Sequence, residues 1–66
     1  MLLIVNGKKI IGAEGITIAE LVGQEGFNPD VVIIEYNGNI VRKEDWQTVV
    51  LQQEDCLEVV SFVGGG

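Results

Sequence analysis

The order of apolar and polar residues divides the chain into short blocks that end at turn-forming dipeptides. Residues 2–5 are all apolar, Asn6-Gly7 follows, and residues 8–11 return to an apolar pair after two lysines. Asn-Gly tolerates the positive φ angles that a two-residue hairpin turn demands. The opening of the chain therefore predicts two antiparallel strands joined by a tight turn.

A helix start follows the first hairpin. Thr17 stands three residues before Glu20, which is the spacing of a capping box, where each side chain accepts a hydrogen bond from the other residue's backbone N–H. Ile16 and Leu21 occupy the two positions of a hydrophobic staple across the same turn. Gly26 is typical of a helix C-terminus, so we expect the helix to end close to it. The apolar face predicted to pack on a sheet consists of Ile18, Leu21 and Val22.

The second half of the chain repeats the hairpin signal. Residues 31–36 are nearly all apolar and predict a strand that is covered on both faces for part of its length. Asn37-Gly38 and residues 39–41 predict a turn and a short strand. The charged segment 42–48 predicts a helical turn whose tryptophan folds back onto the edge of the sheet rather than contacting a partner.

The last apolar block, residues 57–63, is rich in branched and aromatic residues and predicts a final strand. Together the blocks give an α+β chain in which a mixed sheet of four to five strands packs on one helix. This element order resembles the β-grasp fold of ubiquitin-like proteins, in which the last strand lies centrally beside the first. We divide the chain into a β-grasp domain, residues 1–63, and a flexible C-terminal glycine tail, residues 64–66.

Alternation along the final strand separates its side chains between two faces. Val60 and Phe62 point one way, while Val59, Ser61 and Val63 point the other. Either set can form an exposed apolar docking patch. We expect contacts with partner proteins to involve Val60, Phe62 and Val63.

Three glycines follow this strand directly. Gly64, Gly65 and Gly66 have no Cβ, so they can lie extended in a narrow channel of another enzyme, with nothing bulky beside the last carbonyl carbon. They span at most ~10 Å when extended. We interpret the Gly66 carboxylate as the reactive group of the protein, against the alternative that the glycines form an unused, disordered end.

The composition excludes most kinds of self-contained catalysis. The chain has no histidine and one cysteine, Cys56, so an internal disulfide, a zinc site and a Ser-His-Asp arrangement are all excluded. We interpret Cys56 as a small buried hydrophobic residue rather than as a nucleophile. The reactive group is therefore expected to be the terminus and not a side chain.

The charge balance and the length of the apolar runs restrict the choice of partners. Ten acidic against four basic residues give a net charge of −6, which disfavours nucleic acid and favours proteins with basic surfaces. The apolar runs are too short to span a bilayer, and no signal segment opens the chain. We therefore expect a cytoplasmic protein that contacts no membrane.

The segment 37–41 leading to Trp46, and the ending 58–66, resemble the ThiS family of sulfur carriers, ubiquitin-like β-grasp proteins of thiamine thiazole synthesis. The resemblance covers the whole chain and is most specific at the ending. Two dipeptides depart from the family's pattern. Arg42-Lys43 stand where the family often has proline, and Glu54-Asp55 stand where it favours Gly-Asp before the last strand.

The resemblance implies a chemistry that other proteins perform on this chain. An adenylating enzyme of the E1-like type would use ATP and Mg²⁺ to convert the Gly66 carboxylate into an acyl adenylate. A cysteine-derived persulfide donor would displace AMP and leave a thiocarboxylate, which passes its sulfur to thiazole synthase. The chain itself would be a protein co-substrate that binds no cofactor, and not an enzyme.

Two alternatives stay open from the residues alone. The same chemistry serves molybdopterin synthesis and tRNA thiolation, and a Gly-Gly ending does not separate those pathways from thiamine synthesis. A ubiquitin-like interaction module whose tail is never activated would have the same fold without the sulfur chemistry.

Overall fold

Five strands, one α-helix and a 3₁₀ turn make up the part of the chain that the structure describes. The structure is a computed structural model and describes residues 1–62. The elements follow the predicted order along the chain. They are the strands β1 (Leu2–Val5), β2 (Lys8–Ile11), β3 (Val32–Tyr36), β4 (Asn39–Val41) and β5 (Cys56–Ser61), the helix α1 (Ile18–Gln24) and the 3₁₀ turn (Lys43–Asp45).

Both Asn-Gly turns adopt the backbone conformation that their sequence predicts. Asn6 and Gly7 have φ angles of 51° and 79°, and Asn37 and Gly38 have φ angles of 47° and 90°. Two consecutive residues at positive φ form the turn whose twist matches that of antiparallel strands. Accordingly β1 pairs with β2, and β3 with β4, in antiparallel register.

The helix α1 begins at the predicted capping box. The Thr17 hydroxyl accepts the Glu20 N–H at 3.2 Å, and the Glu20 carboxylate accepts the Thr17 N–H at 3.0 Å. Gly26 follows at a φ of 77°, the conformation that ends a helix. Within residues 1–62, no helix is long and apolar enough to cross a membrane. The buried residues of α1 are those of the predicted stripe, Ile18, Leu21 and Val22.

The strand β5 lies at the centre of the sheet. The strand order is β2-β1-β5-β3-β4. Because β5 runs parallel to β1 and antiparallel to β3, it joins the two hairpins into one mixed sheet. This is the β-grasp arrangement that the sequence predicts, with the last strand beside the first.

The core lies between α1 and the inner face of the sheet. Trp46 is only 4% exposed, and its indole N–H donates to the Val41 carbonyl at 3.0 Å. Its indole is thus bonded to the edge strand β4, which confirms the predicted structural role, and its large apolar surface is part of the core itself. The buried core residues are Leu3, Val5, Ile16, Ile18, Leu21, Val22, Val32, Ile34, Trp46, Leu51 and Leu57.

The prediction that β3 is covered on both faces is wrong. Val32 and Ile34 are buried against the core, but Ile33 between them is 40% exposed. The helix covers one face of the sheet, and none of residues 1–62 forms a second layer over the other. A continuous apolar run indicates burial on both faces only where both faces have a covering layer. The exposure of Ile33 therefore makes the outer face of the sheet apolar.

Candidate functional site

The strand β5 is the structural base of the candidate site, because the glycine tail follows it in the chain. Its pairing with β3 runs to Val32↔Ser61. The ladder continues one residue further, where the Phe62 N–H donates to the Val31 carbonyl at 2.8 Å. The body of the protein thus holds this strand up to residue 62. The predicted site residues Val63, Gly64, Gly65 and Gly66 lie outside the described residues.

The other edge of β5 loses its strand neighbour much earlier. Pairing with β1 stops at Val5↔Leu57. Beyond that point the side chain of Asn6 takes the place of a strand. Its Oδ1 accepts the Val59 N–H at 2.7 Å, and its Nδ2 donates to the Val59 carbonyl at 3.3 Å. Asn6 therefore holds the downstream half of β5 on the side that β1 leaves open.

The second Asn-Gly turn holds the upstream end of β5. The Asn37 Oδ1 accepts the Cys56 N–H at 2.9 Å, and the backbone N–H of Asn37 donates to the Cys56 carbonyl at 2.9 Å. The Nδ2 of Asn37 donates to the Asp55 carboxylate at 3.2 Å. The two asparagines thus bind opposite edges of the same strand, Asn37 at its first residue and Asn6 in its downstream half.

Asp55 accepts three hydrogen bonds immediately before β5. The donors are the Tyr36 hydroxyl at 2.7 Å, the Gln52 N–H at 2.8 Å and the Asn37 Nδ2 at 3.2 Å. Partial burial raises the pKa of Asp55, but these hydrogen bonds favour the charged form and lower the pKa below its ordinary value. The hydrogen bond to Asp55, with partial burial, raises the pKa of Tyr36. An ionised Asp55 therefore fastens the start of β5 to the end of β3.

The outer face of the sheet carries Val60 and Phe62, two of the predicted partner-contact residues. They are 51% and 52% exposed, whereas Val59 packs against the core. Alternation along β5 thus exposes the apolar set Val60 and Phe62, and the role of these residues in binding stays a prediction. Ile33 lies directly opposite Val60, and Ile40 on β4 is also exposed. A group of exposed apolar side chains on one face is typical of a docking surface.

Two acidic residues interrupt this apolar face. Glu35 on β3 and Glu58 on β5 are directly opposite each other, and Ile40 on β4 lies opposite Glu35 on the other side. Like charges in directly opposed positions destabilise a sheet. Neither carboxylate forms an ion pair with any described residue. We call six residues of this face the outer patch: Ile33, Glu35, Ile40, Glu58, Val60 and Phe62.

The interpretation of Cys56 as a buried residue is wrong. Its side chain is exposed, and its Sγ lies 3.9 Å from the Glu54 carbonyl oxygen. Alternation places Cys56 on the same side of β5 as Glu58 and Val60, away from the core. The position of a residue in the strand register, rather than its type, decides its burial here.

Four residues of this region were missed by sequence reasoning. The positive φ angles of the turns already explain why asparagine stands at positions 6 and 37. The sequence therefore gave no reason to expect that their side chains also bind β5. Glu35 and Glu58 did give a signal, because each is a single charged residue inside an apolar block. Their opposition across the sheet, however, depends on the β3–β5 register, which the sequence does not specify.

A mixed sheet over one helix, with its last strand at the centre, defines the class of ubiquitin-like β-grasp proteins. The family model described as the ThiS family matches residues 3–66. Because this match covers almost the whole chain, the chain belongs to the ThiS family.

Solved and curated proteins agree with this assignment. The crystal structure of a thiamine biosynthesis protein (ThiS) from Geobacter metallireducens matches with a TM-score of 0.84 and 32% identity, over 100% of both chains. The sulfur carrier protein ThiS of Bacillus subtilis is 40% identical over 76% of each chain. A thiazole synthase of Magnetococcus marinus is 39% identical over 92% of this chain, which spans only 19% of that protein's length.

Proposed function

We propose that this chain carries sulfur as a thiocarboxylate on Gly66 for the synthesis of the thiamine thiazole. Family membership makes it a sulfur carrier of thiamine biosynthesis rather than a catalyst. The single observation that supports the chemistry at Gly66 is that the family match continues through residue 66 and so includes the glycine tail.

Activation is required because delocalised negative charge makes a carboxylate a poor electrophile. In the first of the proposed reactions, an E1-like adenylating enzyme binds ATP and Mg²⁺. The Gly66 carboxylate then attacks the α-phosphate with loss of pyrophosphate. The terminal sulfur of a cysteine-derived persulfide then displaces AMP. A thiol cleaves the resulting S–S bond and leaves the thiocarboxylate. The nucleotide and the metal ion belong to the enzyme, and this chain binds no cofactor of its own.

Gly64 and Gly65 supply a thin segment between the folded body and Gly66. Without Cβ atoms they fit a channel that excludes other side chains. The residues 64–66 reach at most ~10 Å when extended, which is enough to carry the carboxylate into a neighbouring active site. The ladder to β3 meanwhile keeps Phe62 and the body outside.

The acceptor of the sulfur is proposed to be thiazole synthase. A segment similar to this chain forms part of the thiazole synthase of Magnetococcus marinus, which supports such an enzyme as a partner. The adenylating enzyme of the E1-like type and the cysteine-derived persulfide donor are proposed from the resemblance to the ThiS family. We expect these reactions in the cytoplasm, where thiols are kept reduced.

The terminus is tested with variants that leave the body unchanged. Removal of Gly66, or addition of one alanine after it, should abolish ATP–pyrophosphate exchange with the adenylating enzyme, while the melting temperature stays at the parental value. Normal exchange by the extended variant would refute a reactive Gly66. Gly65→Val should slow sulfur transfer far more than Gly64→Ala, because residue 65 lies next to the reacting carbon.

The product and the pathway are tested in the native host. Protein purified from it should contain a form in which one sulfur replaces one oxygen, seen by intact mass and lost when Gly66 is removed. Deletion of the gene should make growth depend on added thiamine. Growth that depends instead on molybdopterin, or tRNA that lacks its thio groups, would move the carrier to another pathway.

A further inference from the structure

The opposed acids of the outer patch are unfavourable for the free protein. Glu35 and Glu58 face each other across neighbouring strands, a geometry that brings Cβ atoms to within about 5 Å. No other strand pair in the described sheet opposes like charges, and the buried Ile34, for example, lies opposite Val59. A local arrangement that costs stability in an otherwise consistent sheet is expected where a surface has a function.

The described residues supply no cation for this pair. Of the four basic residues of the chain, Arg42 and Lys43 are paired with other carboxylates at 2.9 and 2.7 Å. Lys8 and Lys9 belong to β2, which is separated from β5 by the whole of β1. A cation that neutralises both carboxylates must therefore come from another molecule.

The surroundings of the pair favour an arginine. Exposed apolar side chains of the outer patch lie along the same strands, so a docked surface would exclude water around the carboxylates and strengthen their attraction to a cation. A guanidinium is planar, donates several hydrogen bonds in fixed directions and is weakly hydrated, so it can contact two carboxylates at once.

We propose that the outer patch binds thiazole synthase through a surface that presents an arginine among apolar side chains, with this arginine between Glu35 and Glu58. The inference rests on the proposed function and names how one partner of that function is recognised. Thiazole synthase is favoured as the occupant because a segment similar to this chain is part of such an enzyme in a relative. The net charge of −6 is complementary to a basic surface.

If Glu35 and Glu58 bind an arginine of the partner, reversing the charge of one of them should stabilise the free protein and weaken its binding to thiazole synthase. Glu35→Lys replaces a repulsive cross-strand pair by an attractive one, so the urea midpoint of the free protein should rise. The lysine should repel the partner's arginine, so association with purified thiazole synthase should slow about tenfold at low salt. Glu58→Lys should show both effects, and because Glu58 is exposed whereas Glu35 is half-buried, it covers the case in which Glu35→Lys fails to fold.

The control has the same change in net charge at a distant place. Glu25 is the C-cap residue of α1, in the helix layer of the fold. Glu25→Lys should change association with thiazole synthase by less than about twofold, because it does not touch the outer patch. An equal loss of binding in Glu25→Lys would show that only total charge matters and would overturn the inference.

Two further results separate failure of this inference from failure of the proposed function. Parental binding of thiazole synthase by both outer-patch variants, or a loss confined to the adenylating enzyme, would overturn the inference and leave sulfur carriage intact. A parent protein that neither binds thiazole synthase nor delivers sulfur to it would refute the proposed acceptor itself.

Discussion

The two Asn-Gly turns share a dipeptide and a backbone conformation, but they hold different parts of β5. At the first turn, the side chain of Asn6 binds only the backbone of Val59, while its backbone N–H donates to the Leu57 carbonyl. At the second, Asn37 binds the backbone of Cys56 and the carboxylate of Asp55. Strand direction explains the difference. β1 runs parallel to β5, so its turn reaches the downstream part of that strand, whereas the antiparallel β3 brings its turn to the upstream end.

The two contacts also differ in how many other groups depend on them. Asn6 makes an isolated contact, and its loss should loosen only the segment that it holds. Asn37 belongs to a network that includes Asp55 and the Tyr36 hydroxyl, so its loss should spread to neighbouring bonds. Members of one hydrogen-bond network are not additive in their contributions. A shared turn sequence therefore does not imply a shared contribution to stability.

The largest effect is expected for Asn37→Ala. Alanine disfavours the φ of 47° by about 1–2 kcal/mol and leaves the Cys56 N–H without its partner, which costs about 1–3 kcal/mol more. Urea unfolding should show the loss as a lower midpoint with an unchanged slope. Asn37→Gly keeps the turn and isolates the side-chain contribution. If Asn37→Ala and Asn6→Ala lose the same free energy of unfolding, the network adds nothing to the second turn.

Asn6→Gly should have a smaller and more local effect. Glycine keeps the positive φ, so the variant loses only the two bonds to Val59, worth about 1–2 kcal/mol in total. Hydrogen exchange should quicken at the Val59 amide while the Leu57 and Cys56 amides stay protected. Asn37→Gly should instead quicken exchange at the Cys56 amide and leave the Val59 amide protected. Equal exchange profiles for the two variants would refute the division of β5 between its two turns.

Tyr36→Phe tests how much the hydrogen bond from the Tyr36 hydroxyl to the Asp55 carboxylate contributes to stability, and how this contribution depends on pH. It should cost about 0.5–1.5 kcal/mol at neutral pH, because Asp55 loses one donor. The lowered pKa of Asp55 contributes stability above its ordinary pKa of about 4, and this contribution is lost as the pH falls through the lower folded-state pKa. Tyr36→Phe moves that pKa upward, so the gap in stability between parent and variant should narrow as the pH drops below about 4. The gap between parent and Asn6→Gly should stay constant over the same range.

The smallest effect is expected for Cys56→Ser. Asn37 holds the backbone of Cys56, and the exposed thiol makes only a long contact with the Glu54 carbonyl. The free energy of unfolding should change by less than about 0.5 kcal/mol, and sulfur carriage should be retained. A folded Cys56→Ser protein that no longer carries sulfur would show that the thiol takes part in the reaction.

Local signals in the sequence predicted the elements of this fold. The capping box at Thr17 and Glu20, and the two Asn-Gly turns, depend on residues that are neighbours in the chain, so their geometry can be deduced before the fold is known. The central position of the last strand followed from the order of these elements. The pattern of apolar and polar residues does not indicate the chemistry of the glycine tail. That expectation came from the family resemblance.

Features that depend on register could not be predicted in this way. Asn6 contacts Val59 across a separation of 53 residues, and nothing in either neighbourhood marks the contact. The exposure of Cys56 likewise follows from which face of β5 meets the helix. The departure from the family at Glu54 has a structural correlate, since Glu54 has a φ of 67°, a conformation that glycine adopts without strain.

The central position of β5 also determines the order in which the fold can be completed. The hairpins β1–β2 and β3–β4 form from near neighbours, but they share no ladder until β5 lies between them. The pair Ile4↔Cys56 joins positions 4 and 56, and such non-local contacts form slowly. The outer patch spans β3, β4 and β5, so it exists only once β5 has paired with β3. A partner that docks on it would therefore select carriers in which the strand that precedes the glycine tail is already in place, and would leave chains with an unpaired β5 unbound.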